Sequence, residues 1–280
     1  MPEAALSHFD LYVQQATTLP AMPEVARKLL NSFDRDDLSL GELSQLIGRD
    51  QSLAAKVLRL ANSARYSPSH TVSTLNDAAA SLGLRTLRDL TLSACMTGAF
   101  PKMDGFDRVG FWRSTLAVAA YSQALAPALD ADPDTAYLGG LVVRTGQILM
   151  TMAEPAAMAE VTRHARAPDS RIGFEATLLG CSHPQVSAEL ARHWQFPQAL
   201  VAAFSAAADP MAARPFCRLG VVLRLASVVC DAAEIQVDPI ESLRTTQAAL
   251  INHVNLDLAW VKAHLPDHRL ATAGADALMH

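Results

Sequence analysis

The chain is short of cysteine, of charge and of unbroken apolar stretches, and each shortage excludes a class of protein. Its four cysteines, Cys95, Cys181, Cys217 and Cys230, lie 86, 36 and 13 residues apart with no CxxC pair, which excludes a disulfide scaffold and a thiolate zinc site. Buried thiols in a reducing compartment are expected instead. Only 18% of the residues are charged against 50% hydrophobic, which excludes an intrinsically disordered chain. The most apolar long window, Phe216 to Ile235, is interrupted by Arg218, Arg224 and Asp231, so no membrane span is expected there. Met1 to Phe9 has no basic start leading into an apolar run, so no secretory leader is expected and the reading is a soluble cytoplasmic protein. Glycine-rich phosphate loops, GxSxG elbows and HExxH helices are all missing.

Net charge is −5, so no global basic field draws the chain to nucleic acid. Between Arg49 and Asp89, however, Arg49, Lys56, Arg59, Arg65, Arg85 and Arg88 outnumber Asp50, Asp77 and Asp89. That excess reads either as a solvated helix face or as a partner surface. Arginine outnumbers lysine 19 to 4, compatible with a GC-rich bacterial source.

What is present is helical period almost throughout, without the alternation that marks strands. Ser39 with Glu42, Thr74 with Asp77, and Thr86 with Asp89 have capping-box spacing, and Gly83 is placed to end a helix between the last two. The expected fold is all-α: a small helical bundle over 17–104, a break at Phe100 to Gly105, a second helical half over 105–230, and a cap with a frayed tail over 231–280. Long helices are predicted at 108–127 and 134–152, then shorter ones punctuated by Pro155, Pro168, Pro184, Pro197, Pro210 and Pro215. Predicted cap helices cover 239–251 and 255–264, with fraying from Arg269 to His280. His264 and His268 have i, i+4 spacing, but Pro266 between them disrupts a shared helix face. His183 and His193 have no acidic neighbour at ligand spacing and read as satisfied or exposed histidines.

Several blocks carry a family resemblance in order: Leu19-Pro20-Ala21-Met22-Pro23, Leu40 to Asp50, Leu58 to Tyr66, and Ala78 to Leu87 with Leu82-Gly83-Leu84. Phe111 to Ala119, Ala136 to Gly146, Ser182-His183-Pro184-Gln185-Val186 and Trp194-Gln195-Phe196-Pro197 continue it. Over about residues 17 to 230 the chain resembles the HDOD family. That resemblance implies an all-helical fold whose second half is related to the HD superfamily, where histidines and aspartates, including an adjacent His-Asp pair, hold a metal that supplies hydroxide to a phosphoester. It also implies a regulatory role in which those ligands are commonly eroded. Carried onto this chain, the first histidine position holds Ser114 and the His-Asp pair falls at Val143-Arg144. The later histidine pair falls on Ser205 and Ala206, the final aspartate on Ser227, and His183 alone matches a ligand. A guanidinium at an aspartate position reverses the charge there. No metal, cofactor or catalytic residue is therefore expected.

Three functional readings follow. The first is a non-catalytic signalling module acting through protein partners, with Lys56, Arg59, Asn62 and Arg65 as a candidate face and local capping as the structural alternative for Asn62 and Ser63. The second is a sensor that binds a phosphate, nucleotide or cyclic dinucleotide at Arg144, with Ser114, Val143, His183 and Ser227 around it. Against it stands the plainer expectation that Arg144 points to solvent or pairs with a carboxylate such as Glu175 or Asp134. The third is a helix-turn-helix at Gly83 presenting Arg85 and Arg88 to nucleic acid, which the net acidity and the apolar Leu87 and Leu90 oppose.

Overall fold

The computed structural model describes residues 7–31, 39–66 and 71–276. Their regular structure is entirely helical. α1 (His8–Thr18), α2 (Glu24–Asn31), α3 (Leu40–Gly48), α4 (Gln51–Ala61) and α5 (Leu75–Ala99) come first. α6 (Arg108–Leu125) and a 3₁₀ turn (Ala126–Leu129) lead into α7 (Pro133–Val142), α8 (Gly146–Ala153), α9 (Pro155–His164) and α10 (Ser170–Leu179). α11 (His183–His193), α12 (Gln198–Ala208) and α13 (Arg218–Glu234) follow, then α14 (Pro239–Thr246), α15 (Ala248–Val254), α16 (Leu258–His264) and α17 (His268–Ala271). Among the described residues no helix is long and apolar enough to cross a membrane.

Local chemistry sets many of the boundaries. Ser39 and Glu42 form a reciprocal cap on α3, and Thr74 and Asp77 form one on α5. The third expected cap does not form. Asp89 is buried inside α5 and accepts from Gln123 Nε2 at 3.2 Å. Gly83 does end the first of two helical stretches joined in α5: its φ of 78° and ψ of 171° are non-helical, a conformation other residues rarely adopt, and they kink the element there. The single helix expected over 134–152 is broken at 143–145. There Ser187 Oγ of α11 accepts from the Gly146 N–H and donates to the Val143 carbonyl, both at 2.8 Å. The cap helix expected over 239–251 is likewise two helices meeting at Gln247.

α2, α3 and α4 pack on α5, and α5 touches α7. The larger core joins α6 to α7 and α13, α12 to α11 and α13, and α8 to α11, around the fully buried Trp112, Tyr121, Tyr137 and Phe204. α1 packs on α8 and α11, late in the chain. Its anchor is Glu154, which accepts from the buried Tyr12 hydroxyl and lies 2.8 Å from His8 Nδ1. Gly140 makes the α6–α7 approach possible, since a Cβ there would stand 2.4 Å from the Ala119 Cα. The expected fraying from Arg269 is corrected: α17 spans His268–Ala271, and Ala271 and Ala275 are buried. Residues 277–280, like His70, lie outside the described residues.

Candidate functional site

The turn between α7 and α8 places Arg144 in the second helical half, buried between α10, α11 and α13. Its Nη2 donates to Asp231 Oδ1 at 3.1 Å, and Nη1 lies 3.6 Å from Cys230 Sγ. The carboxylate partner is thus Asp231. Of the partners expected for Arg144, Glu175 is taken by His183 and Asp134 by Arg88 at 2.5 Å. Burial works against the Arg144 charge, but Asp231, with Cys230, Glu234 and Glu175, outweighs it and the net shift of the guanidinium pKa is upward. Arg144 is a fixed cation.

Around this pair the chain builds a ladder of charges. Asp231 Oδ2 also accepts from the Asp169 backbone N–H at 3.3 Å. Asp169 binds Arg224 of α13 at 2.8 Å and receives Gln247 Nε2 at 2.5 Å, so the α14–α15 junction reaches the site. Burial raises the Asp169 carboxyl pKa, with Arg224 and Gln247 opposing.

His183 does have an acidic neighbour, contrary to its sequence reading. Glu175, fully buried eight residues earlier, accepts from the His183 backbone N–H at 2.8 Å, and its Oε2 lies 2.7 Å from Nδ1. Burial lowers the imidazole pKa against the pull of Glu175, and Arg144 and Arg171 lower it further, which leaves a neutral ring near pH 7.

The residues implied by the resemblance are only partly brought together. Arg144, His183 and Ser227 do share a pocket with Asp169, Arg171 and Asp231, but its free volume is about 10 Å³, roughly what one water needs. Val143 is buried and does not line it, and Ser227 spends its hydroxyl on the Leu223 carbonyl. Ser114, bonded to Glu234, lies on the wall of an open cleft of about 490 Å³ that Arg144 and Arg171 also line. Ser205 is exposed and Ala206 is apolar.

This donor set does not fit a divalent cation. The space an anionic ligand would need holds a guanidinium that already neutralises Asp231, and among the described residues no three His, Cys, Asp or Glu side chains gather to hold a metal.

The candidate partner face is divided. Arg59 is exposed and Lys56 half-buried, but Arg65 turns inward, its guanidinium 6.0 Å from the Tyr137 ring centre. Asn62 is committed to the backbone: it donates to the carbonyls of Leu58 and Val72 and accepts from the Val72 N–H, each at 2.8 Å. At the Gly83 kink, Leu87 and Leu90 are buried and Arg88 is paired with Asp134, while Arg85 is exposed and lies 3.6 Å from the same carboxylate. His264 stacks on Trp260, and His268 bonds Tyr121 from a separate helix.

The model of the HDOD domain matches residues 19–210. The chain belongs to the HDOD family. A solved structure from Shewanella amazonensis SB2B, described as a candidate phosphohydrolase, is 30% identical, covers 96% of this HDOD chain and 98% of its own, and superposes with a TM-score of 0.75. An HDOD domain protein with unknown function from Geobacter sulfurreducens, 21% identical over 94% of this chain and 92% of its own, shares the fold at a TM-score of 0.69. An uncharacterized protein of Treponema pallidum (strain Nichols) is 24% identical over 189 residues, 65% of this chain and 36% of that protein. The HDOD chain therefore spans little more than a third of that curated relative.

Sequence reading missed the residues that complete the site: Asp231, Cys230, Asp169, Arg171 and Gln147. Asp231 carried a signal, since Ser227, Asp231 and Glu234 recur at helical spacing on one face of α13.

Proposed function

We propose that this HDOD protein is a cytoplasmic regulatory module that works by binding protein partners and does not hydrolyse phosphoesters. The buried Arg144–Asp231 pair carries this reading. Hydrolysis of the HD type needs a metal to lower the pKa of a bound water, and that needs neutral or anionic ligands facing one another. Here a permanently charged guanidinium takes one such position and consumes the carboxylate opposite. His183 and Glu175 gather no third His, Cys, Asp or Glu among the described residues to complete a set. The phosphohydrolase description of the Shewanella protein is accordingly not carried to this chain.

With chemistry removed, the fold's remaining capacity is recognition, as the family's regulatory character implies. The test is direct. Purified protein is assayed with 4-nitrophenyl phosphate and bis(4-nitrophenyl) phosphate over Mg²⁺, Mn²⁺, Fe²⁺ and Zn²⁺, and the same preparation is cross-linked in cell extract. The expected result is no turnover above the metal blanks and a specific cross-linked partner. Metal-dependent turnover would overturn the non-catalytic part, and cross-linking without a specific product would overturn the partner part.

A further inference from the structure

The pocket behind Arg144 is filled, but the cleft on its other side is open, at about 490 Å³ within the roughly 300–1,000 Å³ typical of small-molecule sites. α8, α9 and α10 contribute Gln147, Thr151, Thr162 and Arg171 to its lining, and Phe106, Phe111 and Met158 add apolar surface.

One buried polar group there lacks a partner, and one half-buried cation has no carboxylate beside it. Arg171 is half-buried, and among the described residues no carboxylate pairs with it. Its contacts are Thr162 Oγ1 at 3.4 and 3.5 Å, long for hydrogen bonds. Arg144 nearby is satisfied by Asp231 and Arg224 by Asp169, which leaves Arg171 as a cation with unused donors. Gln147, only 8% exposed, lines the same cleft, and its Nε2 has no hydrogen-bond partner. A buried donor left unmade costs roughly 1–3 kcal/mol, a cost that a ligand accepting from Gln147 would recover, and the half-buried Arg171 offers the same ligand a cation.

We propose that this cleft binds a small organic phosphate, with the phosphate at Arg171 and Gln147 and a flat apolar body against Phe106, Phe111 and Met158. The phosphate supplies several acceptor oxygens to a guanidinium fork and an amide donor. The two phenylalanines, with ring centres 5.5 Å apart, supply a surface for an aromatic body. Asp104, Asp107 and Glu234 also line the cleft, so an inorganic anion alone meets repulsion, and a body carrying N–H donors is favoured. The proposal is independent of the non-catalytic reading, since a bound phosphate ester can be held with or without being cleaved.

The test is isothermal titration of the full chain with three probes: inorganic phosphate, phenyl phosphate and a nucleoside 5′-monophosphate, with phosphate release measured in parallel. The two organic phosphates are expected to bind and inorganic phosphate to bind at least tenfold more weakly. Arg171→Ala is expected to lower organic-phosphate affinity tenfold or more. Gln147→Leu is expected to weaken binding while raising the ligand-free melting temperature, because it removes a buried unpaired donor. If Arg171→Ala fails to fold, Gln147→Leu decides. No binding of any probe at millimolar concentration, or binding unchanged in both variants, overturns the proposal. Release of phosphate from a bound probe would leave it standing and overturn the non-catalytic reading.

Discussion

The Arg144 guanidinium lies 3.1 Å from the Asp231 carboxylate and ties the turn between α7 and α8 to the last turns of α13. The two ends are unequally buried: the Arg144 side chain is 9% exposed and that of Asp231 21%. Asp231→Ala strands the deeper charge and is expected to destabilise by about 3–5 kcal/mol, whereas Arg144→Met leaves a carboxylate that water reaches and costs less. Arg144→Met combined with Asp231→Leu recovers much of the loss, giving a coupling on the order of 1–3 kcal/mol in urea titrations of all four proteins. Additive losses would show that the pair does not act as a unit.

The break at 143–145 depends on Gly146. A Cβ there would stand 2.2 Å from the His183 carbonyl oxygen and 2.9 Å from the Ser187 nitrogen, both backbone atoms of α11. Gly146→Ala should therefore destabilise by about 1–3 kcal/mol or more through overpacking. Gly173 of α10, with nothing within 4 Å of its would-be Cβ, is the control. Gly173→Ala should be neutral or stabilise by up to about 1 kcal/mol through helix propensity. Thermal melts of the two variants separate local crowding from general sensitivity to glycine replacement.

Asp89 makes stability pH-dependent. Burial, with Asp134 beside it, pushes its carboxyl pKa up to about 7, while Arg88, Gln123 and Arg65 oppose. The folded state therefore holds this proton more tightly than the unfolded chain, whose carboxyl titrates near 3.8. The contribution of Asp89 to stability is full below about pH 4 and is lost as pH rises through 7, at up to roughly 1.4 kcal/mol per pH unit. Urea titrations from pH 4 to 8 should show Asp89→Asn gaining on the wild type as pH rises, and parallel profiles would refute the assignment.

Glu154 holds α1 in place through the buried Tyr12 hydroxyl and His8. Glu154→Ala leaves that hydroxyl without its acceptor, at a cost of about 1–3 kcal/mol. In hydrogen exchange, the loss of amide protection should concentrate in His8–Thr18, with α11 nearly unchanged. Uniform loss across the chain would mean that α1 and the core open together.

The helices were legible where a local rule governs. Ser39–Glu42 and Thr74–Asp77 are short-range caps, and each forms. Thr86–Asp89 has the same spacing but loses to a tertiary partner, Gln123, that spacing cannot reveal. The break after Val142 is set by Ser187, 44 residues beyond Val143. At the site, Arg144 as a fixed cation was readable from residue type, because no environment deprotonates it. Its partner was not: Asp231 lies 87 residues on, one turn past the Ser227 position that the resemblance assigned. Arg171 and Gln147 carry no motif, and only the folded geometry shows that Arg171 has no carboxylate and Gln147 Nε2 no partner.

Arg144, at the position that the HD resemblance gives to a metal-binding aspartate, is paired with Asp231 and is proposed to leave no metal site. The most direct test is calorimetric titration of Mn²⁺ into chelator-treated protein near neutral pH, read for saturable heat. The account predicts dilution heats alone for the wild-type chain. Stoichiometric binding with a micromolar or tighter Kd, abolished by His183→Ala, would contradict it.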